Sequence, residues 1–430
     1  MAKRADVVIV GAGIGGLAAA VALLTESQLS QTPYNITVLE SASEICEIGA
    51  GIQVTPNFTR LLDQWGLADE IARTGWKPGQ VKQVRWQNGA ELTKFPLNRD
   101  DRMKNQFGYY YFHIHRADLH GALMRRAEQL GTKMYTKSNV VKYIPRTENS
   151  KDTVETVDGR KFEADLVIAA DGAKSMFIKE VLGTDTPAEP TGDCAYRGMM
   201  RRECVQDPAF EGLELENGSV VWLGHGAHIV GYLIRGGEFY NLVVLMPEGD
   251  DIQEESWTLK GEPKKLKDFF ETWDPRLRKL LEMVDTTYMW SLRDRPALEK
   301  WVHPTGNLVL IGDAAHPMLP YVGQGAASAA EDAAALAECL NAVGERHSLR
   351  DVLDAFQKLR IPRAFSMREA GRRNRQYFHF PDGQEQRERD QALAKESETS
   401  STPNQLNDDK VLQGMYGYDV IKEAKALFEG

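Results

Sequence analysis

Three glycines near the N-terminus, set between a predicted strand and a predicted helix, constrain this chain more than any other feature. Gly11, Gly13 and Gly16 follow the β-branched run 7–10 and precede the Ala- and Leu-rich stretch 17–24. Such a run predicts a strand buried on both faces, and such a stretch predicts a helix. The glycines permit a tight turn and a close approach to a pyrophosphate, whose charge the helix N-terminus meets. The N-terminus is therefore predicted to be a βαβ unit that binds a dinucleotide.

An acidic residue supports this interpretation. The second predicted strand, 36–39, ends at Glu40, which is placed to accept hydrogen bonds from a ribose. The glycine pattern, its place between a strand and a helix, and Glu40 together favour dinucleotide binding over a merely structural glycine turn. They do not separate NAD from FAD. The apolar segment 7–24 also mimics a signal peptide or membrane anchor. Its glycines and the lack of a small-residue cleavage site favour strand, turn and helix, and no other stretch is apolar enough to span a bilayer.

Two later predicted strands also run into an acid, and the pattern of the chain changes between them. The strand 166–170 leads into Asp171, and the strand 308–311 leads into Asp313. The intervening apolar runs are separated by glycine-containing turns and predict an antiparallel sheet. These runs are 220–223, 228–235 and 239–246. We expect an α/β fold in which a discontinuous Rossmann-like domain carries an inserted, mostly antiparallel β-sheet domain and C-terminal helices.

The expected domain boundaries follow from these patterns. The nucleotide domain is predicted to comprise 1–177 and 291–375, the second part ending in a long helix, and the sheet domain to comprise 178–290. The remainder, 376–430, is predicted to be a polar C-terminal segment with a closing helix. Within it, 381–409 has few large apolar residues and predicts a loop, whereas 411–428 predicts the helix.

Composition and charge exclude several classes of protein. Of the 430 residues 42% are hydrophobic and 27% charged, which is typical of a globular protein, and the net charge of −10 argues against a nucleic-acid binder. Four scattered cysteines without a C-x-x-C pair predict neither a disulfide framework nor a metal site, and favour a reducing, cytoplasmic location. A local arginine cluster is interpreted as a solvated or pyrophosphate-facing helix surface rather than an RNA site. Its members are Arg368, Arg372, Arg373 and Arg375.

Several later motifs, in a fixed order, carry a resemblance to a known family. They are H-R-A-D-L at 115–119, D-G-A-K-S at 171–175, G-D-A-A-H-P at 312–317 and G-Q-G-A at 323–326. They resemble the motifs of the group A, or aromatic-ring, FAD-dependent monooxygenases. The chain is most similar to the fungal salicylate hydroxylase-like branch. There the resemblance continues through 360–364, 378–383 and 416–419 and covers nearly the whole chain.

The resemblance implies a non-covalent FAD and names the residues that bind it. Arg116 is expected to lie along the FAD, Asp313 to hydrogen-bond the ribityl chain, and Asp171 to support the pyrophosphate side and the transient nicotinamide. The helix that opens near Gly325 is expected to aim its positive end at the flavin pyrimidine edge. His316 is interpreted as a packed or capping residue. The full cofactor-binding set is Gly11, Gly13, Gly16, Glu40, Ala50, Gly51, Arg116, Asp171, Gly172, Asp313, Gly323, Gly325 and Ala326.

The resemblance also implies a reaction. NADH or NADPH reduces the FAD, O2 adds to give a flavin C4a-hydroperoxide, and a phenolic or related aromatic acid similar to salicylate is hydroxylated. The residues that match the family's active-site strands are Arg197 and Tyr232, the catalytic candidates. Strand alternation places Tyr232 and Ile234 on one face and Arg235 on the other. Pro320 and Tyr321 are candidate substrate contacts, although bacterial salicylate enzymes tend to carry His where this chain has Tyr321.

Two alternatives stay open. One is a flavin-dependent epoxidase or hydroxylase of a secondary metabolite, an isoprenoid or an indole. The other is a flavin-binding protein without turnover. The expected partners are a small aromatic substrate, O2 and NAD(P)H. Neither nucleic acid nor a membrane is expected as a partner, and the protein is predicted to be a monomer or homodimer.

Overall fold

The computed structural model describes residues 5–30, 34–44, 50–249, 259–395 and 404–429. The strands are β1 (Ala5–Val10), β2 (Tyr34–Leu39), β3 (Gly51–Val54), β4 (Gln80–Arg85), β5 (Glu91–Pro96), β6 (Phe112–His115), β7 (Lys133–Tyr135), β8 (Val140–Ile144), β9 (Asp152–Thr156), β10 (Lys161–Ala164), β11 (Leu166–Ala169), β12 (Glu189–Arg201), β13 (Gly218–Gly224), β14 (Ala227–Ile234), β15 (Phe239–Pro247), β16 (Leu259–Gly261), β17 (Thr287–Asp294) and β18 (Leu308–Leu310). The α-helices are α1 (Ile14–Ser30), α2 (Pro56–Gln64), α3 (Ala68–Thr74), α4 (Arg102–Phe107), α5 (Arg116–Gln129), α6 (Phe177–Leu182), α7 (Pro263–Phe269), α8 (Pro275–Glu282), α9 (Gly325–Leu340), α10 (Leu349–Phe378), α11 (Gln384–Ala394), α12 (Asp409–Tyr416) and α13 (Val420–Ala426).

One layer is a five-stranded parallel sheet in the order β18-β11-β1-β2-β7. Its central strand β1 is buried as the apolar run predicts, with Val7 and Val8 at most 3% exposed. Helices α1 and α9 pack closely against each other because both are rich in alanine. The predicted strand, glycine turn and helix at the N-terminus are confirmed, as are the strands that precede Asp171 and Asp313.

A second layer is an eight-stranded sheet in the order β16-β17-β12-β15-β14-β13-β4-β5. Strands β12 to β15 pair in antiparallel fashion, so the predicted inserted sheet is confirmed. The sheet also takes in β4 and β5, which precede the expected interval 178–290, and β4 pairs in parallel with β13. The apolar pattern did not reveal β4 because it buries Lys82. Glu91 and Glu214, at 3.1 and 3.4 Å from Lys82 Nζ, neutralise that charge.

The two faces of the eight-stranded sheet have different surroundings. On the outer face, Trp222, Leu233 and Tyr240 form a core with the leucines of α7 and α8. Side chains alternate along each strand, so Arg197 and Tyr232 lie on the opposite, inner face. The inner face contacts β3, β6 and the loop 319–322. The small sheets β10-β9-β8 and β3-β6 complete the fold.

The C-terminal region differs from the expectation in two places. Part of the predicted loop 381–409 is the helix α11, because Arg389 and Leu393 are buried and Arg389 donates to the carbonyls of Tyr377 and Phe378. The expected closing helix 411–428 is two helices, α12 and α13. Helix α12 ends at Tyr416 and is followed by Gly417. Asp419 then caps α13 by accepting from the Lys422 N–H.

Three of the four clustered arginines on α10 pair with acids of the eight-stranded sheet, whereas Arg373 is exposed. Arg368 and Arg372 pair with Asp294 at the end of β17, and Arg375 pairs with Asp193 on β12 at 2.6 Å. Within the described ranges, no helix is long and apolar enough to cross a membrane. No group of three metal-ligating side chains is found among the same residues. The free thiols there are Cys194, Cys204 and Cys339, and Cys46 lies outside the described residues.

Candidate active site

The carboxyl ends of the parallel strands, here named the crevice, form the edge at which open α/β sheets bind their ligands. The glycine turn follows β1, Glu40 follows β2, Asp171 follows β11, and Asp313 follows β18. Because these four strands are neighbours in one parallel sheet, the turn and the three acids meet at the same edge. The structure therefore brings together the four strand-end features that the sequence predicts.

The glycine turn shows why particular residues are needed. Gly11 has φ +104°, and a Cβ there would overlap the carbonyl oxygen of Ala170 on the neighbouring strand. A Cβ on Gly16 would overlap the carbonyl oxygen of Gly11. At Gly13, by contrast, no atom of the described residues lies within 4 Å of an added Cβ. Gly11 and Gly16 are thus required for the fold of the turn, whereas Gly13 leaves open space beside the helix N-terminus.

Glu40 is held against the glycine turn. Its Oε2 accepts a hydrogen bond from the Ala12 N–H at 2.9 Å, and its Oε1 accepts from the Ala42 N–H at 2.8 Å. Oε1 also accepts from the Ser41 hydroxyl at 3.1 Å, so Oε2 is the oxygen that retains a second acceptor position. The Glu40 carboxylate can therefore stabilise the turn and still accept from a ribose hydroxyl.

The two other acids of the crevice differ in environment. Asp171 accepts from the Met176 N–H through Oδ2 at 3.2 Å, while its buried Oδ1 has no hydrogen-bond partner among the described residues. Burial raises the pKa of Asp171 to about 6, so this carboxyl holds a proton at higher pH than an ordinary aspartate. Asp313 is exposed on a short 3-10 turn, Gly312–Ala314, which the left-handed Gly312 at φ +59° begins.

The helix α9 opens at the same crevice. Gly323 is left-handed, with φ +63°, and no atom of the described residues lies within 4 Å of an added Cβ at Gly325. The buried Gln324 side chain donates to Thr55 Oγ1 at 3.1 Å and accepts from Asn57 Nδ2 at 3.2 Å. The start of α9 is therefore fixed to α2, with open space beside Gly325.

Behind this helix start lies a buried ionic cluster that the sequence analysis missed. Arg360 is fully buried and pairs with Glu331 at 2.9 Å and with Asp332 at 2.8 Å. Burial alone would raise the pKa of Glu331, but the Arg363 and Arg360 guanidinium groups outweigh it and hold that pKa below its ordinary value. His316 is buried and hydrogen-bonded to Asp332, as its interpretation as a packed residue expects. Two adjacent acids in an alanine-rich helix were the available signal.

These observations fit FAD. Open space at Gly13 and Gly325, the unpaired Asp171 Oδ1 and the exposed Asp313 line one crevice at the strand ends. A pyrophosphate needs close backbone approach and a helix N-terminus, and a ribityl chain needs an acceptor. The backbone carbonyl of Ala50 accepts from the Arg116 N–H at 2.8 Å, which places the start of β3 beside α5. The roles of individual cofactor residues remain predictions.

A second feature, here named the cleft, is the part of the inner face floored by Arg197, Val243 and Val230. These residues lie on β12, β15 and β14 and all three are half-buried, and Met199, the next residue of β12 on this face, is 40% exposed. Arg197 pairs directly with Val243, and Val243 with Val230. The Arg197 guanidinium lies 3.9 Å from the centroid of the Trp290 ring. The cleft is therefore an apolar floor with one cation at its edge.

Tyr232 occupies the boundary between the cleft and the crevice. Its ring stacks on His113 of β6, with centroids 4.2 Å apart, and a Cβ on Gly51 would come within 2.7 Å of its hydroxyl. Burial raises the pKa of Tyr232 to about 12, against the opposing effect of the Arg197 charge. The predicted placement of Tyr232 on a face away from Leu233 is observed. The contact with Gly51 had no signal in the sequence.

Tyr321 and Pro320 lie on a short 3-10 turn beside the cleft. The Tyr321 ring packs with Leu245 and Trp290, but its hydroxyl donates to Asp193 Oδ2 at 2.6 Å. Pro320 is exposed. Next to them, His228 and His379 share a hydrogen bond of 2.7 Å. The Tyr321 hydroxyl is thus engaged with the sheet, so its predicted contact with a substrate would involve the ring.

Comparisons with known proteins agree with this geometry. A family model described as "FAD binding domain" matches residues 4–229 and 277–371. The FAD-dependent monooxygenase OpS4 of Beauveria bassiana (strain ARSEF 2860) is 35% identical over 423 residues, covering 97% of this chain and 96% of OpS4. The 3-hydroxybenzoate 6-hydroxylase of Klebsiella oxytoca is 34% identical over 383 residues, covering 86% of this chain and 89% of that hydroxylase.

A solved structure supports the fold independently. A salicylate hydroxylase in complex with its substrate superposes with a TM-score of 0.79 at 22% identity and covers 99% of this chain and 98% of its own. Because the family model spans most of the sequence and the relatives align over nearly their full length, the discontinuous Rossmann-like fold with an inserted sheet is confirmed. The chain belongs to the FAD-binding-domain family, among its FAD-dependent monooxygenases and hydroxylases.

Proposed function

We propose that this protein hydroxylates a phenolic or related aromatic acid, using FAD, O2 and NADH or NADPH. The observation that carries the proposal is the cleft, in which the Arg197 guanidinium borders an otherwise apolar floor beside the cofactor crevice. An aromatic acid has the matching shape, an apolar ring with an anionic group at one end. The relatives' names include a hydroxybenzoate hydroxylase, which is consistent with this substrate class.

The chemistry supplied by bound FAD is acceptance of a hydride from the nicotinamide and activation of O2. The protein's own residues bind and orient the substrate. The Arg197 guanidinium offers a planar pair of donors to a carboxylate, and the Trp290 ring beneath it limits its motion. Val243 and Val230 cover one face of the ring and exclude water, which protects reactive intermediates from hydrolysis.

Tyr232 supplies a neutral hydroxyl in this proposal. Because burial raises its pKa to about 12, the phenol keeps its proton at neutral pH and can donate a hydrogen bond to a substrate oxygen. The Gly323 turn and the start of α9 are held by Gln324, so the donors at that helix N-terminus are fixed before the cofactor binds. Fixed donors cost little reorganisation during the reaction.

The nicotinamide is proposed to bind transiently. The sequence has one dinucleotide glycine pattern, which the FAD crevice uses, so reduction requires the flavin and nicotinamide to meet elsewhere along the crevice. Flavin reduction should therefore be slow without substrate and faster with it. The same proposal includes a cytoplasmic enzyme that works as a monomer or homodimer, with the domain boundaries 1–177, 178–290, 291–375 and 376–430.

The experiment that tests this function is a substrate panel. The purified holoenzyme is mixed with hydroxybenzoates, pyridine acids and phenols, and NADH and NADPH oxidation is measured together with product mass. We expect at least one hydroxylated aromatic acid, formed with stimulated nicotinamide oxidation. Oxidation that no panel member stimulates, in a protein that retains FAD, would favour a flavin-binding protein without turnover. A hydroxylated or epoxidised isoprenoid or indole would identify the other alternative.

A further inference from the structure

Asn241 is a buried amide whose orientation the structure fixes. It lies on β15, is fully buried, and stands directly opposite Tyr232 on β14. Its Oδ1 accepts a hydrogen bond of 3.0 Å from the Gly51 N–H at the start of β3. A backbone N–H requires an acceptor, so the oxygen must face Gly51. The Asn241 Nδ2 donor lies beside the Gly51 α-carbon and the Tyr232 hydroxyl, because a Cβ on Gly51 would come within 2.8 Å of Nδ2 and 2.7 Å of the hydroxyl.

That Nδ2 donor has no hydrogen-bond partner among the described residues. Buried side-chain donors in folded proteins are nearly always paired, and one left without an acceptor loses its hydration without compensation. This unsatisfied donor lies where the eight-stranded sheet meets the cofactor domain. An acceptor supplied by a bound molecule would satisfy the donor.

Strand register places this donor beside the cleft. Val243 is two residues from Asn241 on the same face of β15 and pairs directly with Arg197. Diagonal neighbours across a strand pair are about 7–8 Å apart, and directly opposite residues such as Tyr232 are about 5 Å apart. Three donors thus border one end of the cleft.

We infer that Asn241 is a further substrate-binding residue, whose Nδ2 donates to the acceptor oxygen that Arg197 also holds. That oxygen belongs to the carboxylate of the aromatic acid, so the inference rests on the proposed function. Through Oδ1 the same side chain holds Gly51, a predicted FAD contact. Asn241 therefore touches both the substrate and the edge of the cofactor crevice, and binding of the acid tightens the contact between them.

The test measures ligand affinity rather than turnover. Asn241→Ala and Asn241→Asp are compared with Ser219→Ala, a matched control. Ser219 lies in the same row of the sheet and bonds His113 of the β3-β6 ribbon at 3.2 Å. Dissociation constants for salicylate and for phenol are obtained from the flavin absorbance change of the FAD-loaded proteins. Asn241→Asp keeps an oxygen for the Gly51 N–H but replaces the donor by an ionisable carboxyl, whereas Asn241→Ala removes the donor without adding charge.

We expect both Asn241 variants to weaken salicylate binding at least tenfold and phenol binding less than threefold, and Asn241→Asp, which keeps the acceptor for the Gly51 N–H, to keep FAD affinity within twofold of wild type. Ser219→Ala should change the salicylate-to-phenol affinity ratio less than twofold. Equal losses of affinity for salicylate and for phenol would show that Asn241 only stabilises the structure. An FAD affinity that falls in Asn241→Asp before any aromatic ligand is added would assign the acceptor to the flavin. Either result overturns the inference.

A crystal structure of the FAD-loaded wild-type protein keeps the two proposals separable. If wild type binds none of the hydroxybenzoates, the proposed function fails. The inference is then decided by the atom nearest to Asn241 Nδ2. A flavin oxygen within hydrogen-bond distance would overturn it, and a water or small anion between Asn241 and Arg197 would support it. Variants that fail to fold are judged by this structure in the same way.

Discussion

The cofactor crevice and the cleft lie side by side but are built from different parts of the chain. The crevice is made mainly by backbone: a left-handed Gly11, the start of α9 and the ends of four parallel strands. The cleft is made by side chains on three antiparallel strands, with Arg197 at its edge. A backbone-built site requires particular residues at particular spacings. A side-chain-built site requires only that suitable side chains share one face of a sheet.

The largest effect should come from Gly11→Ala. The substitution places a Cβ on the Ala170 carbonyl oxygen and forces alanine to φ +104°. Together these should destabilise the protein by about 3 kcal/mol or more. Thermal unfolding of the ligand-free protein should show a clear drop in Tm and little folded protein able to bind FAD.

Gly13→Ala is the matched control for Gly11→Ala and should behave in the opposite way. The ligand-free Tm should stay near wild type because the added Cβ meets no described atom within 4 Å. The dissociation constant for FAD should rise at least tenfold, about 1.4 kcal/mol, because the methyl group occupies space beside the helix N-terminus. Equal stability loss in both variants would contradict the division between folding and cofactor glycines.

In the cleft, Arg197→Ala should cost about 2–4 kcal/mol of transition-state binding, as for other oriented donors. We expect KM to rise, kcat to fall and hydrogen peroxide to increase at the expense of product, with FAD content unchanged. Arg201→Ala serves as control, since Arg201 lies on the same strand but is exposed and contacts Phe239. Loss of FAD with normal coupling would move Arg197 from the substrate to the cofactor.

Asp313→Ala tests the crevice by a side chain rather than by backbone. Removing a charge-assisted hydrogen bond should weaken FAD binding by about 1.5–3 kcal/mol. The ligand-free Tm should hardly change because Asp313 is exposed. FAD released by acid precipitation and FAD titration of the ligand-free protein measure the effect. Glu299→Ala, another exposed acid, should leave FAD occupancy intact.

Asp171→Asn should remove a pH-dependent loss of stability that the buried Asp171 carboxyl causes. Burial raises the pKa of Asp171 to about 6, so the folded ligand-free protein keeps a proton that the unfolded chain releases near pH 4. Stability is therefore lost as pH rises between these values, by at most about 3 kcal/mol and less after screening. The variant should match wild type at pH 4 and exceed its Tm at pH 7. A Tm difference that is flat across this range would rule the buried carboxyl out as the cause.

The sequence predicted the backbone-built crevice better than the cleft, which is built from side chains. The parallel strands, the glycine turn and the three acids at strand ends were predictable because each is a local pattern with one physical purpose. The hydrogen bond between Asn241 and Gly51, which are 190 residues apart, and the contact of Tyr232 with Gly51 were not predictable, since both depend on how β3 packs against the eight-stranded sheet. The sequence did not predict helix α11, because a charged residue such as Arg389 is typical of a polar loop. In the structure Arg389 is buried and donates to a backbone carbonyl. Arg360 was missed for the same reason, because its partners Glu331 and Asp332 neutralise it inside the core.

Tyr232→Phe should have the smallest effect and is the sharpest test of the division, because this residue touches both regions. The ring keeps its packing on His113 and Gly51, so FAD content and Tm should stay near wild type. Loss of one neutral hydrogen bond should cost about 0.5–1.5 kcal/mol, which appears as a lower kcat and more uncoupled peroxide. Tyr232→Ala removes the ring as well and should weaken FAD binding through Gly51. If Tyr232→Phe lowers FAD affinity as much as Tyr232→Ala does, the hydroxyl serves the cofactor, and the cleft and the crevice are one site rather than two.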